Sequence, residues 1–195
     1  MHCRLLITAA ITLGLGLSAC KQEGIGVSNN QTGDMVDGPG VTNSGTMADG
    51  NMAGAASEMD ATYVQNAAAS DMFEIETSRL ALAKATSPAI KTYAQMMIDE
   101  HGKSSTDLMA AVAGTAIVVP AGLPTEQSAK LETLRDLSGA AFDRQYLADQ
   151  RAGHQETLAK INAYLATAAA GPLKDHASKV TGVVQKHLNS LENIK

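Results

Sequence analysis

From Asp60 onward, apolar residues return every three or four positions, the spacing of one face of a helix. The first stripe is Val64, Ala68, Ile75 and Leu82, with Asp60 as the expected N-cap. Ser87-Pro88 ends that helix and opens a second, because Pro is pre-set for the first helical position. The second stripe is Ile90, Ala94, Met97, His101, Leu108 and Val112. Two Pro and two Gly between Gly114 and Pro124 break the pattern, and a short helix from Thr125 to Leu137 follows, capped by Thr125. A long helix from Ser138 to about Ala168 carries Asp143, Leu147, Arg151, His154, Leu158, Ile161 and Leu165. Gly171-Pro172 stop it and start the last helix, whose stripe is Leu173, Val180, Val184, His187, Leu191 and Ile194. Short hairpins make the first two and the last two long helices antiparallel pairs, and the long middle connection can run the length of the molecule. The pattern predicts an all-α four-helix bundle, up-down-down-up, with one crossover carrying a short extra helix.

Upstream of residue 60 the pattern changes twice. Met1 to Arg4 are basic, and Leu5 to Leu17 are apolar except for Thr and Gly. Thirteen helical residues span only about 20 Å, short of a hydrocarbon core of about 30 Å. Residues 1–19 therefore read as a secretory signal peptide, and Leu17-Ser18-Ala19-Cys20 resembles the lipobox of bacterial lipoproteins. That resemblance implies lipidation at Cys20 and a membrane partner reached through the lipid. Lys21 follows where an Asp would resemble an inner-membrane retention signal, so the expected location is the outer membrane, facing the periplasm. Residues 20–59 are rich in Gly, Ser, Asn, Asp and Met with no period, and read as a disordered tether. Composition narrows the partners further. A net charge of −5 gives nucleic acid no basic footprint, and two Cys, at positions 3 and 20, leave no disulfide framework.

Candidate chemistry gathers at mid-height. His101, His154 and His187 each lie on the apolar stripe of a different helix. Folding the first pair about residue 86 sets His101 opposite residue 72, within a turn of Asp71 and Glu74. Folding the last pair about residue 169 or 170 sets His154 opposite residue 185, next to His187. A polar layer of Asp71, Glu74, His101, His154 and His187, with Arg151 beside it, should therefore cross the bundle. Two readings compete: Glu74, His101, His154 and His187 hold one divalent transition-metal ion, or the same groups satisfy one another and specify register. Di-iron carboxylate chemistry is disfavoured, since the residues three before the histidines are Ile98, Arg151 and Val184. His176 lies one stripe position out and is expected at the surface or an interface. Gly102-Lys103-Ser104 lies inside a helix and lacks the Gly of a phosphate loop, so no nucleotide is implied.

Several stretches together are similar to a known family. These are Glu74-Ile75-Glu76 with Leu80 to Ala85, Tyr93 to His101, Leu137 to Tyr146, His154, and His187-Leu188. In them the chain resembles the bacterial domain of unknown function 4142 family, labelled predicted outer membrane proteins and placed among ferritin-like folds. The resemblance implies a ferritin-like bundle and marks Glu74, His101, Asp143, His154 and His187 as recurrent polar positions. It carries no biochemical activity and no established cofactor. The leading functional expectation is a non-enzymatic, lipid-anchored envelope protein with a binding or stress-related module, its partner an unidentified envelope protein or small ligand. The alternative is a mononuclear metal-binding or metal-buffering periplasmic protein.

Overall fold

The computed structural model describes residues 49–194, and side chains from residue 58 onward. The expected signal peptide, Cys20 and most of the expected tether lie outside the described residues. Five helices follow in order: α1 Asp49–Lys84, α2 Pro88–Ala111, α3 Thr125–Asp136, α4 Gly139–Thr167 and α5 Pro172–Glu192. No strand occurs among the described residues. Two expected boundaries are corrected. Asp60 is not an N-cap, because α1 begins at Asp49, in the Ala- and Met-containing run assigned to the tether; Asp60 instead accepts a 2.6 Å hydrogen bond from the Tyr164 hydroxyl. The cap of α3 is Pro124 and not Thr125.

The topology is the expected up-down-down-up. Contacts between α1 and α4 pair Asp60 with Tyr164, Ser70 with Thr157 and Ser78 with Tyr146, so these helices run antiparallel. Glu100 with His187 and Ser104 with His176 make α2 and α5 antiparallel as well. Helices α2 and α4 are therefore parallel and diagonal. Gly114, at φ +79°, turns the chain out of α2, a conformation that glycine adopts without strain. The crossover then descends over α1 and α4. It is held by buried Leu131 and Leu134 of α3 and by Lys84 Nζ, which donates to the Arg135 and Leu137 carbonyls.

The interior is two apolar cores with a polar floor between them. One core gathers Tyr63, Val64, Leu108, Ile161, Leu173 and Val184; the other gathers Ile90, Met97, Leu134, Phe142, Tyr146 and Leu191. Between them lie Asp71, Glu74, Thr77, Ser78, His101, Gln150, His154 and His187, all buried. In the first half of α4 the buried stripe runs one residue earlier than the sequence spacing suggests, through Phe142, Tyr146 and Gln150, and it rejoins the expected one at His154 and Ile161. Arg151 is consequently exposed and Gln150 takes its place in the layer. No helix among the described residues is long and apolar enough to cross a membrane.

A candidate metal centre between the two cores

His101 of α2, His154 of α4 and His187 of α5 converge. One imidazole nitrogen from each lies within 4.8 Å of the others, and the ring centroids are 5.0–5.7 Å apart. All three rings are buried, His187 fully. Their outward nitrogens are each held by a group that can only accept. His101 Nδ1 donates to Asp71 Oδ1 at 2.8 Å, and Asp71 Oδ2 is fixed by the Ser105 hydroxyl. His154 Nδ1 donates to the Gln150 carbonyl at 2.7 Å, and His187 Nε2 donates to Glu100 Oε2 at 2.8 Å. A neutral imidazole has one N–H, so these bonds leave His154 Nε2 and His187 Nδ1 as inward lone pairs, and His101 Nε2 as one whenever that ring is neutral. His101 Nε2 is buried without a partner. His154 Nε2 and His187 Nδ1 face each other at 3.0 Å.

Proton counting makes that last contact informative. The chain from the Gln150 carbonyl through His154 and His187 to Glu100 has acceptors at both ends and three links. Three links need three protons, whereas two neutral imidazoles bring two. Burial, with His101 nearby, holds His154 down to about 4, and burial with His101 and His154 holds His187 down to about 3, so both are neutral near pH 7. Burial alone would raise Glu100, but the hydrogen bonds from Lys186 and His187 hold it below the usual carboxylate range. The missing proton leaves two lone pairs opposed across 3.0 Å. His101 differs. Burial opposes its charge, yet the hydrogen bond and charge of Asp71, with Glu74 and Glu100 behind, raise it above the ordinary imidazole value.

Glu74 does not join the three nitrogens. Its Oε2 accepts from Gln150 Nε2, and its Oε1 lies 3.7 Å from the outward nitrogen of His154. Burial pushes this carboxyl up to about 7. Of the expected ligand set, then, the three histidines meet and Glu74 stands behind one of them. Asp143 lies elsewhere: its carboxylate accepts from Thr86 N at 3.1 Å, Ser87 N at 3.3 Å and the Thr86 hydroxyl, clamping the α1–α2 turn to α4. His176 is not a surface residue. It is buried, its Nδ1 accepting from the Tyr63 hydroxyl at 2.6 Å and its Nε2 donating to the Ser104 carbonyl at 3.1 Å.

Sequence spacing missed Glu100 and Gln150. Glu100 neighbours His101 in sequence but points from the adjacent face of α2 toward α5, visible only once those two helices are paired. Gln150 is one turn before His154, a spacing that carries a signal only if the α4 stripe is placed one residue earlier.

No curated protein and no solved structure gave a match to the chain. The profile of the family described as domain of unknown function (DUF4142) matches residues 45–194, which takes in all five helices. With more than half of its length so matched, the chain belongs to that family.

Proposed function

We propose that this protein is a non-enzymatic, mononuclear metal-binding module of the bacterial cell envelope, with His101, His154 and His187 as the ligands. The supporting observation is the convergence of three buried imidazole nitrogens, His154 Nε2 and His187 Nδ1 at 3.0 Å with the unpartnered His101 Nε2 beside them. A buried cluster in which the His154–His187 contact is short of a proton is relieved by a cation, which at His101 displaces the proton that Asp71 favours there. The outer contacts fit the same reading, since histidine ligands characteristically donate their other nitrogen to a carboxylate or carbonyl. Asp71, the Gln150 carbonyl and Glu100 fill those roles here. Imidazole donors favour zinc, copper or nickel over calcium and magnesium, and zinc accepts a three-histidine tetrahedral set with an open fourth position. Nitrogens on a tetrahedral zinc stand about 3.4 Å apart, so the widest spacing within the 4.8 Å limit must close by up to about 1.4 Å. The broader expectation of a binding module with an unidentified partner is thereby narrowed to an ion. The lipid anchor at Cys20 would hold that site at the outer membrane, facing the periplasm.

The test is metal titration of the chelator-stripped chain, read by bound ion per chain and by thermal unfolding. One zinc, copper or nickel ion per chain should bind and stabilise, by about 2.7 kcal/mol at one hundred times the dissociation constant. His101→Ala and His187→Ala should each lose the ion. Cobalt should give the intense visible bands of a tetrahedral nitrogen site. Folded variants that retain the ion, or a parent that takes up none, would overturn the proposal.

A further inference from the structure

Two cavities reach the histidine cluster, and they differ in the sign of their lining. A space of about 700 Å³ opens between α1 and α4 beside the start of α3, with His101 and Asp71 among its walls. A second, of about 480 Å³, lies between α2 and α5 and is also lined by His101. The first carries Glu58, Asp71, Glu74, Glu126, Asp149 and Glu156. Its only lysines, Lys130 and Lys160, are already paired with Glu126 and Glu156. The second carries Lys103, Lys179 and Lys186 against Glu100 and Asp107. A cleft lined by one sign of charge concentrates small ions of the other sign. Cations therefore gather in the first cavity and not in the second.

At the inner end of the acidic cavity one carboxylate oxygen is free. Glu74 is 2% exposed, and its Oε2 accepts from Gln150. Its Oε1 has no donor, since His154 Nδ1, 3.7 Å away, already donates to the Gln150 carbonyl. Unlike the orphaned atoms of the interior, that oxygen keeps surface on the cavity. Gly153 stands beside it, where a Cβ would lie 3.3 Å from Oε1. Glycine is unfavourable inside a long helix, and here it leaves the approach to Glu74 open.

We propose that the α1–α4 cavity is the route by which the metal ion enters, and that Glu74 Oε1 is an outer cation site on that route. The ion waits there before it reaches the three histidines. This inference rests on the metal reading and adds to it the path and the order of events. His101 Nε2 has no accessible surface, so the last step needs a movement of the side chains between. The route therefore sets how fast the ion is gained and lost, while the histidines set how tightly it is held.

Stopped-flow uptake of cobalt by the purified metal-free chain, read by its visible bands, tests this beside release into excess chelator. The work is done at about pH 8, where Glu74, raised by burial to about 7, is ionised. Gly153→Leu and Thr157→Phe fill the cavity without changing its charge. Both should slow uptake and release alike by about tenfold or more, with the dissociation constant within about threefold of the parent. Glu74→Gln should slow uptake by about tenfold. Raising the ionic strength from about 0.05 to about 0.5 M should slow uptake by the parent chain about threefold or more. Lys179→Glu, which makes the other cavity acidic, should leave uptake within about twofold. Parent rates in both filled variants or in Glu74→Gln, uptake indifferent to salt, or faster uptake in Lys179→Glu would each overturn the proposal. Circular dichroism checks the fold of the variants, and the salt dependence needs none of them. A parent that binds no ion at equilibrium overturns the metal reading and this one together, whereas unchanged rates with intact affinity overturn the route alone.

Discussion

Asp71→Asn isolates what a buried carboxylate does for His101, one of the three proposed ligands. The substitution is nearly isosteric, and an amide oxygen can still accept from His101 Nδ1 at 2.8 Å while its NH2 turns toward the Ser105 hydroxyl at 3.2 Å. Both side chains are about 5% exposed or less, so water does not replace the lost charge. What changes is the basicity of His101 Nε2. Loss of such an outer partner typically weakens metal binding 10–100-fold, or about 1.4–2.7 kcal/mol. A second effect runs the other way. Asp71 raises the proton affinity of His101, so its removal also weakens proton competition for the ion. Above neutral pH that competition fades and only the weakening remains. Competition against a chromophoric chelator at about pH 8 should therefore show Asp71→Asn weaker by at least about tenfold. Glu132→Gln removes the same charge at an exposed position and should leave affinity unchanged. An Asp71→Asn affinity within about twofold of the parent, or an equal loss in Glu132→Gln, would refute the reasoning.

Three further outcomes follow from the packing. Asp143→Ala removes the acceptor for Thr86 N, Ser87 N and the Thr86 hydroxyl, and should lower stability by about 2 kcal/mol in urea unfolding with the slope unchanged. Leu134→Ala empties a fully buried position on the inner face of α3 and should cost about 2–4 kcal/mol, whereas a change below about 0.5 kcal/mol would mean that α3 is not docked. All four tyrosines, Tyr63, Tyr93, Tyr146 and Tyr164, are raised above the ordinary phenol value, chiefly by burial. The unfolded chain gives up these protons near pH 10 while the folded chain keeps them, so their contribution to stability is intact below about pH 10 and is lost as pH rises beyond it. Near-ultraviolet absorbance should show tyrosinate appearing together with unfolding, since no Trp masks the signal. Tyrosinate formed in a still-helical chain would contradict the burial.

The bundle was legible because helix pairing is a one-dimensional problem. Once Ser87-Pro88 and Gly171-Pro172 mark the turns, every height follows from counting, and the fold about residue 170 puts His154 beside His187, as the 3.0 Å contact shows. Height is not azimuth, however. A stripe read from spacing fixes which turn a residue occupies more firmly than the direction in which it points, and a one-residue offset in α4 rotates the face by about 100°. That offset exchanges Arg151 for Gln150 and puts an amide in the layer where a guanidinium was expected. Glu74 shows the same limit from the other side. Its height beside the histidines was right, but its carboxylate approaches the outer nitrogen of His154 and opens onto the α1–α4 cavity. His176 was misplaced because a second helix face is buried wherever a neighbour covers it, and Tyr63 supplies that cover. The histidine cluster itself shows why tautomers matter more than proximity. Three rings at one level could satisfy one another by hydrogen bonds alone, and that arrangement would need no ion. Here each outward nitrogen already donates to a fixed acceptor, so the neutral rings of His154 and His187 have no proton left to share between them. The acceptors behind the rings, Asp71, the Gln150 carbonyl and Glu100, are what spacing cannot reveal, and they set which nitrogen of each histidine faces the others.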